Sequence, residues 1–355
     1  MRENQYFQRL SKQTPTEFWI NNPTLAEAEA ALAAGAVCAT TNPTYLARLL
    51  KEEPAYLSRL ISGAIKETSD DDQVVDRILT QAVGRLQRVY YPLYEQTGGR
   101  VGYVAIQGDP RVNTSTDAIL DGALRYRELG ENIYIKVPAW PAGATALERL
   151  TERNIPTIAT LGFSVDQAVY MAEAYHRALG KSRARPPCYV TFIAGVLDTY
   201  LSALSIRAGK KVSKEALYEA GCAATRVAYR IYKSRGYEAR LLGGGARGAH
   251  HFTELAGGDL AITIGWSLAE QIIQADSSIA SNIDKETAPS LLTELEEQLP
   301  DFRRSYREGS MQPEEFHSFG PAVEFQGTFL AGIRTVLDAI RAHRESSARE
   351  NQEVK

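Results

Sequence analysis

Eight short β-prone runs recur between helical stretches along most of the chain, and no other feature restricts the fold as strongly. They cover residues 17–21, 37–41, 101–107, 133–138, 157–161, 188–193, 239–242 and 260–264. Between them, apolar residues return every three or four positions, as in Val74, Val75, Ile78, Leu79, Val83 and Leu86. Strict alternation of strand and helix yields a parallel sheet, because each crossover helix returns the chain to the same sheet end. Eight such units close a barrel. The expected fold is therefore α/β, a single (β/α)8 barrel with additional helices and a C-terminal helical extension. The rival is a doubly wound open sheet, which usually carries a phosphate-gripping glycine fingerprint after its first strand. Here that strand ends in Asn21-Asn22-Pro23.

Boundaries follow from local signals. Residues 1–16 are polar and read as a helical segment with Phe7 and Leu10 facing inward. The barrel is expected over 17–276. Thr24 with Glu27 three residues later forms a capping box, and Gly35 closes the helix it starts. Residues 277–342 are expected to form a cap and helix, with 280–321 over one barrel end and Phe329, Leu330, Ile333, Val336, Leu337 and Ile340 as the terminal helix's apolar stripe. The remainder, 343–355, is expected to be a flexible tail.

Composition limits the partners. With 40 basic against 43 acidic residues among 355, nothing draws the whole chain to nucleic acid or to an anionic membrane. No apolar run is long enough to span a bilayer, and Met1-Arg2-Glu3-Asn4-Gln5 precedes no targeting core, so a cytoplasmic protein is expected. Cys38, Cys188 and Cys222 lack metal or disulfide spacing. His250 and His251 are adjacent rather than four apart, which disfavours a shared metal and suggests helix-start or surface roles. Neither a cofactor nor a metal is expected. The partner is a small carbonyl or sugar-like molecule, and a homo-oligomer is left open.

Chemistry concentrates at Ile133-Tyr134-Ile135-Lys136-Val137-Pro138. Pro138 ends this strand as an internal rung, so Lys136 stands near its C-terminal end, where barrels bind ligands. A lysine there either extends its head to solvent or loses hydration and becomes a nucleophile toward a carbonyl carbon. The same rim would gather Asn21, Thr41, Asn42, Gln107, Thr160, Thr191 and the turn Gly243-Gly244-Gly245-Ala246-Arg247-Gly248, with few carboxylates. Arg247 after three glycines is a weak anion-cradle signal, and the glycines serve equally for tight turning. Asp109 suits a turn before Pro110, and Asp198 is an unassigned carboxylate after the sixth strand.

Several ordered motifs resemble the transaldolase family of Schiff-base-forming class I aldolases. Thr40-Thr41-Asn42-Pro43-Thr44 resembles the signature after its second strand, Ile135-Lys136-Val137-Pro138 its imine-forming segment, and Thr160-Leu161-Gly162-Phe163-Ser164 the segment that follows. Tyr232-Lys233, Gly236-Tyr237 and Gly243 to Arg247 resemble the approach to its phosphate-binding turn, and Phe7-Gln8-Arg9-Leu10-Ser11 with Trp19-Ile20 its opening. The resemblance implies an eight-stranded barrel that moves a dihydroxyacetone unit between sugar phosphates. By it, Lys136 forms the imine, Thr160 holds the catalytic water, Asn42 orients donor hydroxyls, and Arg247 meets a distal phosphate. The chain departs from the pattern at Asn21 and Gln107, which stand where the family has acids. It departs again at Ile158 for an asparagine, at Thr191 and Val196 for a serine and an arginine, and at Gly245 for a second serine. Amides keep size and hydrogen bonding but remove proton-transfer groups worth about 10²–10⁴-fold each in rate.

The expectation is thus a Schiff-base enzyme acting on the carbon–carbon bond of a keto-sugar-like substrate, modified or without phosphate. Its catalytic candidates are Lys136, Thr160, Asn21 and Gln107; Asn42, Thr41, Thr191, Arg247 and Gly245 are the substrate-binding ones. The alternatives are a conventional transaldolase acting on sugar phosphates, or a catalytically reduced sugar-binding barrel.

Overall fold

A computed structural model describes residues 5–353, with side chains through residue 349. Eight parallel strands form a closed barrel in chain order: β1 (Glu17–Asn21), β2 (Cys38–Thr40), β3 (Val104–Gln107), β4 (Ile133–Pro138), β5 (Thr157–Gly162), β6 (Cys188–Phe192), β7 (Arg240–Gly243) and β8 (Leu260–Ile264). The first and last strands pair, with Trp19 opposite Thr263. The open-sheet alternative is thereby excluded.

Helix α1 (Tyr6–Gln13) precedes the barrel, and α2 (Leu25–Ala34) follows β1. Its capping box is present, with Thr24 and Glu27 reciprocally bonded, and Gly35 ends it at φ 110°. Between β2 and β3 lie α3 (Tyr45–Glu52), α4 (Pro54–Ala64) and the long α5 (Asp71–Gln96). Then come α6 (Thr116–Arg127), α7 (Pro141–Glu152) and α8 (Val165–Lys181), one after each successive strand. Two helices, α9 (Ala194–Arg207) and α10 (Lys214–Arg235), separate β6 from β7; the sequence pattern suggests only the second. The rest are α11 (His250–Thr253), α12 (Trp266–Ala275), α13 (Pro289–Gln298), α14 (Pro300–Tyr306) and α15 (Gly320–Glu353).

Two expectations for the C-terminal region require correction. The segment through α13 and α14 packs on the flank of the barrel against α10 and α8, rather than over an end. Asp166 of α8 fixes the chain after it by accepting the N–H groups of Gly309, Ser310 and Met311 at 2.6–2.9 Å. The element that crosses the C-terminal rim is α15. Phe325 meets Phe163 beyond β5, Gln326 donates to the Pro110 carbonyl beyond β3, and Gly332 passes Pro43 and Thr44 beyond β2. Within the segment expected to be a loose tail, residues 343–353 instead continue α15 as helix to Glu353. Arg344 pairs with Asp71 at 2.8 Å and donates to the Thr68 carbonyl at the same distance. Residues 354–355 of that segment, like residues 1–4 of the N-terminal one, lie outside the described residues. No described helix is long and apolar enough to cross a membrane.

Helix α7 presses directly on the end of the lysine strand. A Cβ on Gly143 would come within 1.9 Å of the Pro138 carbonyl oxygen, a backbone atom that cannot swing aside. Replacing Gly143 with Ala is therefore expected to destabilise the protein by at least about 2 kcal/mol, read as a lowered thermal midpoint, despite alanine's better helix propensity.

Candidate active site

Strand alternation divides the barrel wall into an outward set packed under the helices and an inward set that lines the barrel mouth. Trp19, Tyr134, Ile158 and Tyr189 belong to a separate inner cluster and plug the barrel. Beneath this plug, Arg240 pairs with Glu17 at 2.6 Å and with Asp259 at 2.8 Å, so those carboxylates are held at the N-terminal end. Two residues beyond the inner cluster on each strand line stand Asn21, Thr40, Gln107, Lys136, Thr160, Thr191, Gly244 and Thr263. This layer holds one amine, two amides, four hydroxyls and no carboxylate. Five of the nine residues singled out from sequence are therefore brought into it: Lys136, Asn21, Gln107, Thr160 and Thr191.

Lys136 donates from Nζ to the Thr41 carbonyl at 3.0 Å. Burial alone pushes its amine down to about 7, because no carboxylate offsets the lost hydration. Gln107 is its partner in the β3–β4 register, and Gln107 Oε1 is buried without a hydrogen-bond partner. Thr191 Oγ1 is in the same condition. Buried acceptors and hydroxyls left unmatched on an inward surface are the groups a ligand would satisfy. Asn21 instead accepts from Thr40 Oγ1 at 3.0 Å, and since that hydroxyl has one proton, Thr263 must donate across the 2.8 Å contact with Thr40.

Thr160 owes its position to a local irregularity. The β5–β6 register shifts between Ala159 and Gly162, and Leu161 takes φ 63°, a left-handed conformation costly for leucine. Gln167 of α8 holds the bulge, donating from Nε2 to the Ala139 and Leu161 carbonyls, both at 3.0 Å, and accepting the Phe163 N–H. The Ala139 N–H also reaches the Thr160 carbonyl at 2.6 Å. Sequence reasoning missed Gln167, although Ser164 followed three residues later by glutamine carries the spacing of a capping box. Thr40 and Thr263 were missed as layer members because threonine is ordinary in a strand.

The other candidates are placed differently. Thr41 contributes its carbonyl; its hydroxyl donates to the Ala105 carbonyl at 2.8 Å. The Asn42 Oδ1 atom is committed to the loop, accepting from Asn22 Nδ2, Thr44 N and Thr44 Oγ1. Arg247 is exposed and donates back to the Gly245 and Ala246 carbonyls of its own turn, each at 3.3 Å. Gly245 lies at φ 64°, and a Cβ there would come 2.4 Å from Ile193 Cγ2 and 2.9 Å from Val196 Cγ2.

His250 and His251 open α11, the helix-start role expected, but they are not surface residues. His251 is buried and 2.8 Å from Asp198 Oδ2, while His250 stacks on Tyr218 with Nε2 3.9 Å from the same oxygen. The three ligating groups lie within 4.8 Å of one another. However, the Arg247 N–H points at His251 Nδ1, making that nitrogen the acceptor and leaving the proton on Nε2, toward Asp198. With Gly221 N donating to Asp198 Oδ1 at 2.6 Å, the group braces α9, α10 and the turn after β7.

The profile of the transaldolase/fructose-6-phosphate aldolase family matches residues 18–310. The chain belongs to this family. Among its curated relatives, the transaldolase of Thiobacillus denitrificans is 29% identical over 201 residues, which cover 54% of this chain and 56% of that one. The Kocuria rhizophila transaldolase is 30% identical over 55% of each chain. That of Mycobacterium tuberculosis is 28% identical over 55% of this chain and 54% of its own. The matched part thus spans about half the length of these transaldolases. Within the family, this is a member whose inward rim carries amides and whose Ile158 joins the aromatic plug.

The buried amine fixes a pH dependence. In the unfolded chain Lys136 holds its proton to about pH 10.4, whereas folded it releases it near 7, so between these values the unfolded state binds more protons. Folding stability of the native protein relative to Lys136→Met should therefore rise with pH across that window, by up to about 1.4 kcal/mol per pH unit. Denaturant midpoints at pH 6.5, 7.5 and 8.5 measure it, and a constant difference between the two proteins contradicts it.

Proposed function

We propose that this protein is a Schiff-base enzyme that makes, breaks or transfers a carbon–carbon bond of a keto-sugar-like substrate without requiring a phosphate on it. The observation that carries this reading is the Lys136 amine: inward, desolvated, bonded to a carbonyl oxygen rather than paired with an acid, and uncharged for a substantial part of the time at neutral pH. Such an amine adds to a ketone carbon. Loss of water gives the protonated imine, which draws electrons from the adjacent carbon–carbon bond, so cleavage leaves an enamine on Lys136 and releases an aldehyde.

Proton movements are the unusual part. Thr160, positioned by its bulge, would hold the water that serves the imine nitrogen. Gln107 Oε1 accepts a substrate hydroxyl without taking its proton, so the proton leaves through bound water or the substrate's own hydroxyls. Asn21 and the Thr40–Thr263 pair line the opposite wall, and Thr191 offers a further hydroxyl. The exposed Arg247 and the apolar Ile193 and Val196 around Gly245 supply less for a phosphate than two arginines would.

Borohydride added with dihydroxyacetone or fructose 6-phosphate should fix one adduct on Lys136, identified by peptide mass, with none in Lys136→Met. No adduct across a broad carbonyl panel removes the proposal. A catalytically reduced barrel is favoured by one observation, the amide pair at Asn21 and Gln107, and it would bind sugars at undiminished strength in Lys136→Met. A carboxylate restored by Gln107→Glu should raise transfer from fructose 6-phosphate to erythrose 4-phosphate by at least about tenfold. An unchanged rate would mean that Gln107 is not where the missing proton acceptor belongs.

A further inference from the structure

A cavity of about 1000 Å³ opens beside Lys136 and Gln107 and runs outward between α5 and α6. It arises from a gap in the helix layer: α6 packs on α7 and α7 on α8, while α5 and α6 stand apart. Side chains bridge the gap at two points. Tyr126 Oη donates to Asp76 Oδ1 at 2.6 Å, and Arg111 Nη2 to Asp72 Oδ1 at 2.8 Å. Val75, Leu79, Ile119, Ala123, Ile135 and Ile333 make an apolar lining, the last contributed by α15 where it crosses the rim. Along the outer edge five carboxylates face three guanidiniums, so the fixed charge there is negative.

We propose that this cleft seats an uncharged apolar substituent, an aryl or alkyl group, on the carbonyl compound that reacts at Lys136. The inference rests on the imine reading and adds the substrate class. A three-carbon unit joined to Nζ fills a small part of a cavity at the upper end of the roughly 300–1000 Å³ usual for ligand sites. The apolar lining gains by burying hydrocarbon, at about 25 cal/mol per Å². A phosphate is repelled by the acidic edge, whose arginines Arg111 and Arg125 already face Asp72, Asp109 and Asp76. Continuity with Lys136 makes the occupant an extension of the reacting molecule rather than a separate ligand.

The test uses trapping of aldehydes by the full-length protein. The Lys136 amine adds to the aldehyde carbon, water leaves, and borohydride delivers hydride to the imine carbon, leaving a secondary amine heavier by the aldehyde's skeleton. Half-saturation is measured for phenylacetaldehyde and for glyceraldehyde in the native protein and in Gly122→Leu. Gly122 lies on α6 in the cleft lining, and a Cβ there meets only ordinary contacts, 3.7 Å from Tyr126 Cε2. The Cβ is therefore accommodated at ordinary contact distance, and the added side chain takes up cleft volume with a gain in helix propensity. Expected is a half-saturating concentration of phenylacetaldehyde raised about tenfold by the substitution, with glyceraldehyde changed less than about twofold and the thermal midpoint kept. Equal effects on both aldehydes, or none on either, overturn the cleft assignment while leaving the imine reading intact. Failure of both aldehydes to modify Lys136 in the native protein overturns the two together.

Discussion

Everything chemical about this barrel depends on where one ammonium group loses its water. Lys136 sits one layer above a plug of aromatic rings, its amine meets the Thr41 carbonyl, and the surrounding layer offers amides and hydroxyls. A carboxylate in that layer would raise the proton affinity of the amine while also offering a proton acceptor. Glu17 and Asp259 are bound to Arg240 at the opposite end of the barrel. The fold thus sets these two acids apart from its nucleophile by the thickness of the plug.

The departures from the family pattern are structurally coherent rather than scattered. Ile158, which the resemblance sets where the family has an asparagine, fills the plug. Gly245 cannot become serine by a simple exchange, because its left-handed backbone and the approach of Ile193 leave no room for a Cβ. Val196, which the resemblance sets where the family has an arginine, is one of the side chains that close that space. Near β7 the site has been repacked as an apolar turn braced through Asp198 and His251, while on the side of β3 and β4 it opens into a cleft. Under the proposed function, a rim that loses polar reach on one side and gains volume on the other suits a different substrate shape around the same amine.

Much of this was legible in the sequence, for identifiable reasons. The eight strands carry β-branched and apolar runs bounded by proline, glycine or asparagine, and the two-residue period of a strand places Asn21, Gln107, Lys136, Thr160 and Thr191 on the inner face once their strands are known. What escaped were features set by tertiary contact. The course of α15 depends on Gln326, Phe325 and Arg344 finding partners far away in sequence. Asn42 looked available for substrate, yet Asn22 and Thr44 claim its carbonyl oxygen. Adjacent histidines ordinarily diverge, and only the short α11 turn brings both toward Asp198. The bulge at Leu161 leaves no trace in composition, since leucine rarely takes a left-handed backbone.

The proposed chemistry requires the Lys136 amine to be largely uncharged just above neutrality, because it is buried without an acid. A titration of the Lys136 side chain in lysine-labelled protein by NMR, assigned by its disappearance in Lys136→Met, measures this directly. The account predicts a midpoint near 7. A midpoint close to the ordinary lysine value of about 10.4 would contradict it, since the amine would then be hydrated and charged at the pH where the chemistry must run.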